Sequence, residues 1–302
     1  MRVIIYRTEK KLLKIMRHNL LSSEKDIEEF LKQEKLIENF VLERFNGNCN
    51  KLAKLIYDAI KLFPNLLVEG NKIKVVLNPE EIIKRISPIA QISQYERNLE
   101  VVTFISGFDS AQCAYRNTIY YGIEWFVPPE NIGMRKNNPI YRYLKELSQN
   151  PTKYIIGSII HEFMHIAAPK VEGRSKLFTH LIEEGRACYI THLLNPELKL
   201  SDVLYMRDHE IEWCDRNLSI LIKDLAKYVE KDDVNDEILA SYFSPSKKLY
   251  GISRTGYFLG YFLVKKLTES MGRNKKIEYL LTPNLYIKFT NLVNFLSEDA
   301  KY

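Results

Sequence analysis

The stretch from Tyr154 to Ala168 constrains the fold more than any other, because it is an apolar segment with clear helix boundaries. Asn150-Pro151 is a helix start, since asparagine caps a helix and proline suits its first position. Pro169 is a helix stop, because proline cannot continue the hydrogen-bonded ladder. Apolar residues recur at helical spacing on nearly all sides, which predicts a buried helix; they are Ile155, Ile156, Ile159, Ile160, Phe163 and Met164.

Two histidines and a glutamate on this helix predict a metal site. His161 and His165 are one turn apart, with about 6 Å of rise and about 40° of rotation between them. Both imidazoles can therefore reach one ion, and neutral imidazoles suit Zn²⁺. Glu162 lies about 100° away on the helix, where it can accept a proton from a zinc-bound water without being a ligand. This HExxH pattern also occurs by chance in ordinary helices, so a third ligand is needed to support it.

The third ligand is predicted on the next helix, which runs from Leu177 to Leu194. Glu184 lies on this helix, separated from His165 by 18 residues. A catalytic zinc site typically has three protein ligands and one open position, and two histidines with one glutamate are a standard set. Glu183 stays an alternative to Glu184, because adjacent helical positions point about 100° apart.

The combination of HExxH, an 18-residue gap and Glu-Gly-x-Ala-x-Tyr resembles the gluzincin clan of zinc peptidases, with the spacing of its aminopeptidase-N branch. The segments Ile119–Glu124 and Arg254–Tyr261 also resemble a bacterial family known only as predicted zinc-dependent proteases. The strong part of the resemblance covers roughly residues 100–265.

The resemblance implies a role for each residue of the predicted site. Its zinc ligands are His161, His165 and Glu184, its general base is Glu162, its oxyanion donor is Tyr257, and its substrate-binding residue is Arg254. Tyr250 and Tyr261 are alternatives for the oxyanion donor. Tyr257 is preferred because it follows a glycine, which would let the backbone approach the active-site cleft.

Two positions depart from the gluzincin pattern. Glu183 stands where asparagine often precedes the ligand glutamate, and Cys188 stands where an aspartate often orients a histidine. Residues that orient the ligands fix the imidazole tautomer. Their identity is left open among three acidic residues, namely Asp109, Glu124 and Asp208.

The rest of the chain predicts an α+β fold, mainly helical, with a zincin-like catalytic core. Residues 1–95 are predicted to form a helical N-terminal region with one short strand; its elements are helices over residues 24–45, 51–62 and 79–92 and a strand over 72–77. Residues 96–302 are predicted to form the catalytic domain, with a helical C-terminal part. Strands at 99–105 and 119–127 predict a small antiparallel sheet before the metal helix. Its edge could pair with an extended peptide.

Composition and charge exclude several classes of protein. The net charge of +6 is spread along the chain, which favours a solvated surface over nucleic-acid binding. The four cysteines form no CxxC pair, and no apolar run is as long as a membrane span. The sequence therefore predicts a cytoplasmic protein with reduced thiols and no membrane partner, and it leaves the oligomeric state open. Three further histidines with no ligand spacing, namely His180, His192 and His209, are predicted to be surface or capping residues.

The sequence thus predicts a zinc metallopeptidase that acts on a peptide or protein substrate. Zinc would activate a water, and Glu162 would take its proton. Two alternatives stay open. The chain could be a non-catalytic zinc-containing protein that binds a peptide or partner, although such a protein has no need of Glu162. It could also be a zinc hydrolase of another amide or ester.

Overall fold

The computed structural model describes residues 1–17, 23–73, 78–109, 112–138, 140–229, 231 and 234–299. The chain forms two compact units, the first made of residues 1–84 and 96–166 and the second of residues 85–95 and 167–302. The predicted division into a helical N-terminal region over residues 1–95 and a catalytic domain over residues 96–302 stays a prediction. Within the described ranges, no helix is long and apolar enough to cross a membrane.

The first unit contains a four-stranded mixed sheet. Its strands are β1 (Val3–Arg7), β2 (Leu99–Phe104), β3 (Gln112–Tyr115) and β4 (Thr118–Gly122). They lie in the order β1-β2-β4-β3, and only the β3–β4 pair is antiparallel. The two central strands are rich in β-branched and aromatic residues, which suit a buried sheet. Every residue of β4 is buried, whereas β3 at the end of the sheet is half-buried.

Helices surround this sheet in the first unit. They are α1 (Thr8–Arg17), α2 (Glu24–Gln33), α3 (Lys35–Phe45), α4 (Cys49–Leu62), α5 (Leu66–Lys72), α6 (Pro79–Ile92, with residues from 85 onward in the second unit), α7 (Tyr141–Gln149) and α8 (Pro151–Ala167). A short 3₁₀ helix, Ile123–Phe126, follows β4. The ring of Phe40 on α3 lies 4.6 Å from that of Phe104 and 5.6 Å from that of Tyr120, so this helix packs on the sheet through aromatic contacts.

The predicted α+β class and the mainly helical content are confirmed, but several details of the prediction are wrong. The sheet is mixed rather than antiparallel, because the two predicted strands, β2 and β4, pair with each other in parallel and the N-terminal strand β1 also pairs in parallel with β2. The helix predicted over residues 24–45 divides at Glu34, whose carboxylate caps the helix that follows. The second predicted strand ends at Gly122. Of the strand predicted over 72–77, Lys72 ends a helix and residues 74–77 lie outside the described residues.

Glu124, just after β4, is a fully buried carboxyl group that holds the loop following β2. Its Oε1 accepts hydrogen bonds from the backbone N–H groups of Ser106 at 2.7 Å and Phe108 at 3.0 Å, and from the Ser106 hydroxyl. Its Oε2 has no hydrogen-bond partner among the described residues. Burial raises the pKa of Glu124, because the charged form loses its hydration. The loop is therefore held by a group that favours the protonated state.

Replacing Glu124 with glutamine is expected to flatten the pH dependence of stability. A raised pKa means that the native state binds the proton more tightly than the unfolded chain. The resulting stabilisation is complete below the unfolded value of about 4.3 and is lost as pH rises through the folded pKa. Urea unfolding between about pH 4 and pH 8 should therefore show a smaller decline for Glu124→Gln than for the wild type. The exposed Glu96 provides the control, since Glu96→Gln should keep the wild-type decline. Equal declines in all three proteins would contradict this role.

The second unit is helical. Besides the end of α6, its helices are α9 (Lys176–Leu194), α10 (Leu200–Leu204), α11 (Asp208–Arg216), α12 (Leu218–Ala226), α13 (Asp236–Phe243), α14 (Thr255–Thr268), α15 (Arg273–Leu280) and α16 (Leu285–Asp299). Helix α9 lies at the centre and is packed by α10, α14, α15 and α16. The helices predicted over residues 177–194 and 256–268 are confirmed. The pattern over residues 203–229, predicted as one helix or two, is divided among α10, α11 and α12.

Two glycines set the distance between α9 and α14. A Cβ atom on Gly185 would lie 2.4 Å from the carbonyl carbon of Gly260, and one on Gly260 would lie 2.4 Å from the carbonyl oxygen of Leu181. Either distance is far below van der Waals contact, so the crossing requires glycine at both positions. The two helices therefore meet backbone to backbone, directly beside Glu184.

Candidate metal centre

The first part of the candidate site is the histidine pair on α8. His161 is buried and His165 is partly exposed. Their Nε2 atoms are 3.2 Å apart, and the rings meet edge to face. Tetrahedral zinc with bonds of about 2.0–2.1 Å separates two ligand nitrogens by about 3.3 Å. The pair is thus spaced as two ligands of one ion would be. Without an ion, one neutral imidazole can donate its Nε2–H to the other.

Glu162 is buried on the same helix and lies near the β3–β4 hairpin. Its negative charge adds to the effect of burial in raising the pKa of Cys113 on β3 and of Tyr121 on β4. The Tyr121 hydroxyl donates to the Gln112 side chain at 3.2 Å and hydrogen-bonds to Ser158 of α8. Helix α8 therefore rests against the hairpin, and Glu162 lies near it. The nearness of Cys113 was not predicted, because no spacing in the sequence relates it to the HExxH motif.

Glu184 on α9 has a side chain that is only 12% exposed. The Nε2 atom of His180, one turn earlier, is 3.9 Å from its Oε1 atom. Glu183 instead accepts a long hydrogen bond, 3.5 Å, from the backbone N–H of Val171. The two adjacent glutamates thus face different surroundings, and Glu183 is engaged with the loop that precedes the helix.

Ligand atoms of the three predicted residues converge. One atom from each of His161, His165 and Glu184 lies within 4.8 Å of the other two. Among the described residues, these form the one group of three or more histidine, cysteine, aspartate or glutamate side chains that could hold a metal ion. Two imidazole nitrogens and one carboxylate oxygen fit Zn²⁺. The structure brings the predicted ligands together, and the ion itself stays a prediction.

An aromatic cluster, made of Tyr205, Phe243 and Tyr257, lies beside His180 in the second unit. The Phe243 ring is 4.4 Å from the His180 ring and 5.4 Å from the Tyr257 ring. Tyr257 in turn meets Tyr205 edge to face at 5.6 Å. Arg254 joins the cluster, because its Nη1 donates to the Tyr205 carbonyl at 2.7 Å. Two predicted site residues, Tyr257 and Arg254, therefore share one cluster that adjoins His180 and hence Glu184.

The other two tyrosine candidates lie in different surroundings. The Tyr261 hydroxyl is 2.7 Å from Nδ1 of His192, and its ring packs on Tyr189. Tyr250 is half exposed in a tight turn before α14. Sequence reasoning missed Phe243 and Tyr205. The one sequence feature that reflects this cluster is the glycine at position 256. A Cβ there would lie 2.6 Å from the Phe243 ring, so the close packing requires glycine.

Two of the three acidic candidates for orienting the histidines have other partners. Asp109 forms an ion pair with Arg44 at 3.2 Å, and Glu124 holds the loop after β2. Asp208 is exposed in the first turn of α11. The predicted surface position of His209 agrees with its exposure, whereas His192 is half-buried against Tyr261.

Comparison with known families decides where the chain belongs. Residues 1–284 match the family model labelled GldB_lipo and described as Gliding motility protein GldB. The chain belongs to this family. No curated protein and no solved structure matches it. Membership in the GldB family is compatible with protein partners, but gives no support to the predicted peptide or protein substrate.

Membership in the GldB family overturns several predictions. The resemblance to gluzincin peptidases is wrong as a family assignment, and the predictions of an enzyme, a hydrolase and a metalloprotease are wrong with it. The prediction of a cytoplasmic protein is also wrong, because the family label denotes lipoproteins of the gliding machinery. The catalytic roles of Glu162 and Tyr257 and the substrate role of Arg254 lose their basis. The physical reason is that HExxH-x18-E spacing specifies how a metal is held and not what the metal does.

Proposed function

We propose that this chain is a non-catalytic, metal-containing protein that binds a protein partner in the gliding machinery. The convergence of ligand atoms from His161, His165 and Glu184 carries the metal part of this proposal. Membership in the GldB family supports the partner part. The proposed metal is Zn²⁺, which favours imidazole nitrogens together with a carboxylate oxygen in tetrahedral geometry.

The proposed role of the ion is to stabilise the folded site. Its ligands lie on two different helices and are assembled only in the folded chain, so metal binding would contribute directly to the stability of the fold. Glu162 would then serve as a buried acceptor beside the ion rather than as a general base. We also propose that α8 and the β3–β4 hairpin of the first unit follow a zincin-like arrangement. The support is that this strand pair lies against the HExxH helix.

The proposed partner-binding element of the first unit is β3. This strand ends the sheet, and among the described residues it pairs only with β4. Its outer edge can therefore accept an extended segment of another protein through main-chain hydrogen bonds. The residues of β3 are half-buried, as expected for a short edge strand.

Metal analysis of the purified full-length chain tests the proposal. We expect one zinc ion per chain, a lower melting temperature after chelation and recovery when zinc is restored. A ligand present at a hundredfold its dissociation constant stabilises the native state by about 2.7 kcal/mol, which is large enough to measure. Failure to bind zinc at micromolar concentration would contradict the metal part. Peptide cleavage by the zinc-loaded chain that disappears in Glu162→Gln would contradict the non-catalytic part.

A further inference from the structure

We infer that the guanidinium of Arg254 receives a carboxylate from an acidic side chain of the protein partner, an inference that rests on the partner-binding half of the proposed function. Arg254 directly precedes α14 and has a left-handed backbone, with φ of 60°. Tyr205, which ends α10, is also left-handed, with φ of 54°. A hydrogen bond links the Arg254 side chain to the Tyr205 carbonyl, so Tyr205 fixes the position of Arg254.

The side chain of Arg254 is held in place without being neutralised. Its Nη1 donates to the carbonyl oxygen of Tyr205 at 2.7 Å, and the centre of its guanidinium lies 5.8 Å from the Tyr205 ring. Arg254 forms no ion pair within the described part of the chain, and its Nε and Nη2 have no described hydrogen-bond partner. The nearby carboxylate of Glu210 is already bound by the backbone N–H of Arg207 and by the Ser253 hydroxyl. The positive charge of the Arg254 guanidinium is therefore available to an external anion, and it lies on a half-buried, ordered side chain.

The surroundings of Arg254 favour an anion. Helix α14 has no side-chain cap at its start, where the helix dipole is positive. The guanidinium beside this positive helix end is complementary to a carboxylate.

An acidic protein segment fits this site better than a neutral one. The planar guanidinium can donate two parallel hydrogen bonds to a carboxylate, which a lysine cannot reproduce. Because the side chain is already ordered, binding loses little conformational entropy. The chain as a whole carries a net charge of +6, which attracts an acidic partner. A phosphate would satisfy the same donors, so the test must separate it from a carboxylate.

The probe is a fluorescent hexaglutamate peptide, with hexaglutamine as its neutral counterpart. At low ionic strength, we expect the full-length wild type to bind hexaglutamate and not hexaglutamine. Arg254→Met should weaken binding at least about tenfold, and Arg254→Lys should restore only part of it. Arg216, an exposed arginine of α11, provides the matched control, since Arg216→Met should bind as the wild type does.

Titration of the wild type followed by arginine Nε–H NMR signals gives a result that requires no variant to fold. The Arg254 signal should move with hexaglutamate and stay in place with hexaglutamine. Unchanged binding in Arg254→Met, or an unmoved Arg254 signal, would overturn the inference. Inorganic phosphate that moves the signal at lower concentration than hexaglutamate would overturn the acidic partner as its ligand. Zinc content measured in the same samples reports separately on the metal part of the proposed function.

Discussion

Glu184→Ala is expected to lose most of the bound zinc, whereas Glu183→Ala is expected to keep it. Among the described residues, only the carboxylate of Glu184 converges with the nitrogens of His161 and His165. Glu183 is engaged by the backbone of Val171. Loss of a residue that merely orients a ligand costs about 10- to 100-fold in metal affinity, so loss of a ligand should cost more.

Competition with a chromophoric chelator measures the zinc affinity of both variants. The pair is closely matched, because the two substitutions are adjacent on α9 and remove the same chemical group. Circular dichroism of the metal-free proteins confirms that both are folded. Zinc loss in Glu183→Ala with retention in Glu184→Ala would reverse the ligand assignment. Equal retention in both would leave the histidines without a third protein ligand.

Gly260→Ala is expected to destabilise the protein by at least about 3 kcal/mol, at the upper end of what overpacking costs. In a helix interior, glycine to alanine normally stabilises by about 0.5–1 kcal/mol. At this position the new methyl group would lie 2.4 Å from the carbonyl oxygen of Leu181 and 2.8 Å from the Cα of Gly185. Both are backbone atoms of α9, so no side chain can rotate away to make room.

Urea unfolding of the two proteins tests this expectation through the change in midpoint at constant slope. Gly70 of α5 is the control, because a Cβ there would meet only side chains, at 3.5 and 3.6 Å, which is ordinary contact. Gly70→Ala should therefore leave stability within about 1 kcal/mol of the wild type. Wild-type stability in Gly260→Ala would mean that α14 and α9 can separate at low cost.

Local signals allowed the two helices that carry the proposed metal ligands to be predicted. Asn150-Pro151 marks the start of α8, and the apolar spacing that follows shows a buried helix. The 18-residue gap after His165 then predicts Glu184 as the third ligand. Each of these features is encoded within a short window of sequence, where capping, proline geometry and helical period act directly.

Pairings between distant parts of the chain could not be predicted in the same way. Strand β1 pairs with β2 across more than 90 residues, as in the Val3–Leu99 register, and no local pattern specifies this. The His180–Phe243 contact is likewise set by tertiary packing. The function could not be predicted from the motif, because the motif constrains only how an ion would be coordinated. The same ligands can serve catalysis, structure or binding.

The contact between Gly185 and Gly260 makes the crossing of α9 and α14 a rigid point of the second unit. At most contacts between helices, side chains can change rotamer and absorb a small displacement. Here the two backbones are in direct contact, so no side chain between them can adjust in this way. Arg254 lies six residues before Gly260, or about 9 Å along the helix. A force applied at that end of α14 would therefore act on the α9 backbone beside Glu184 without an intervening side chain.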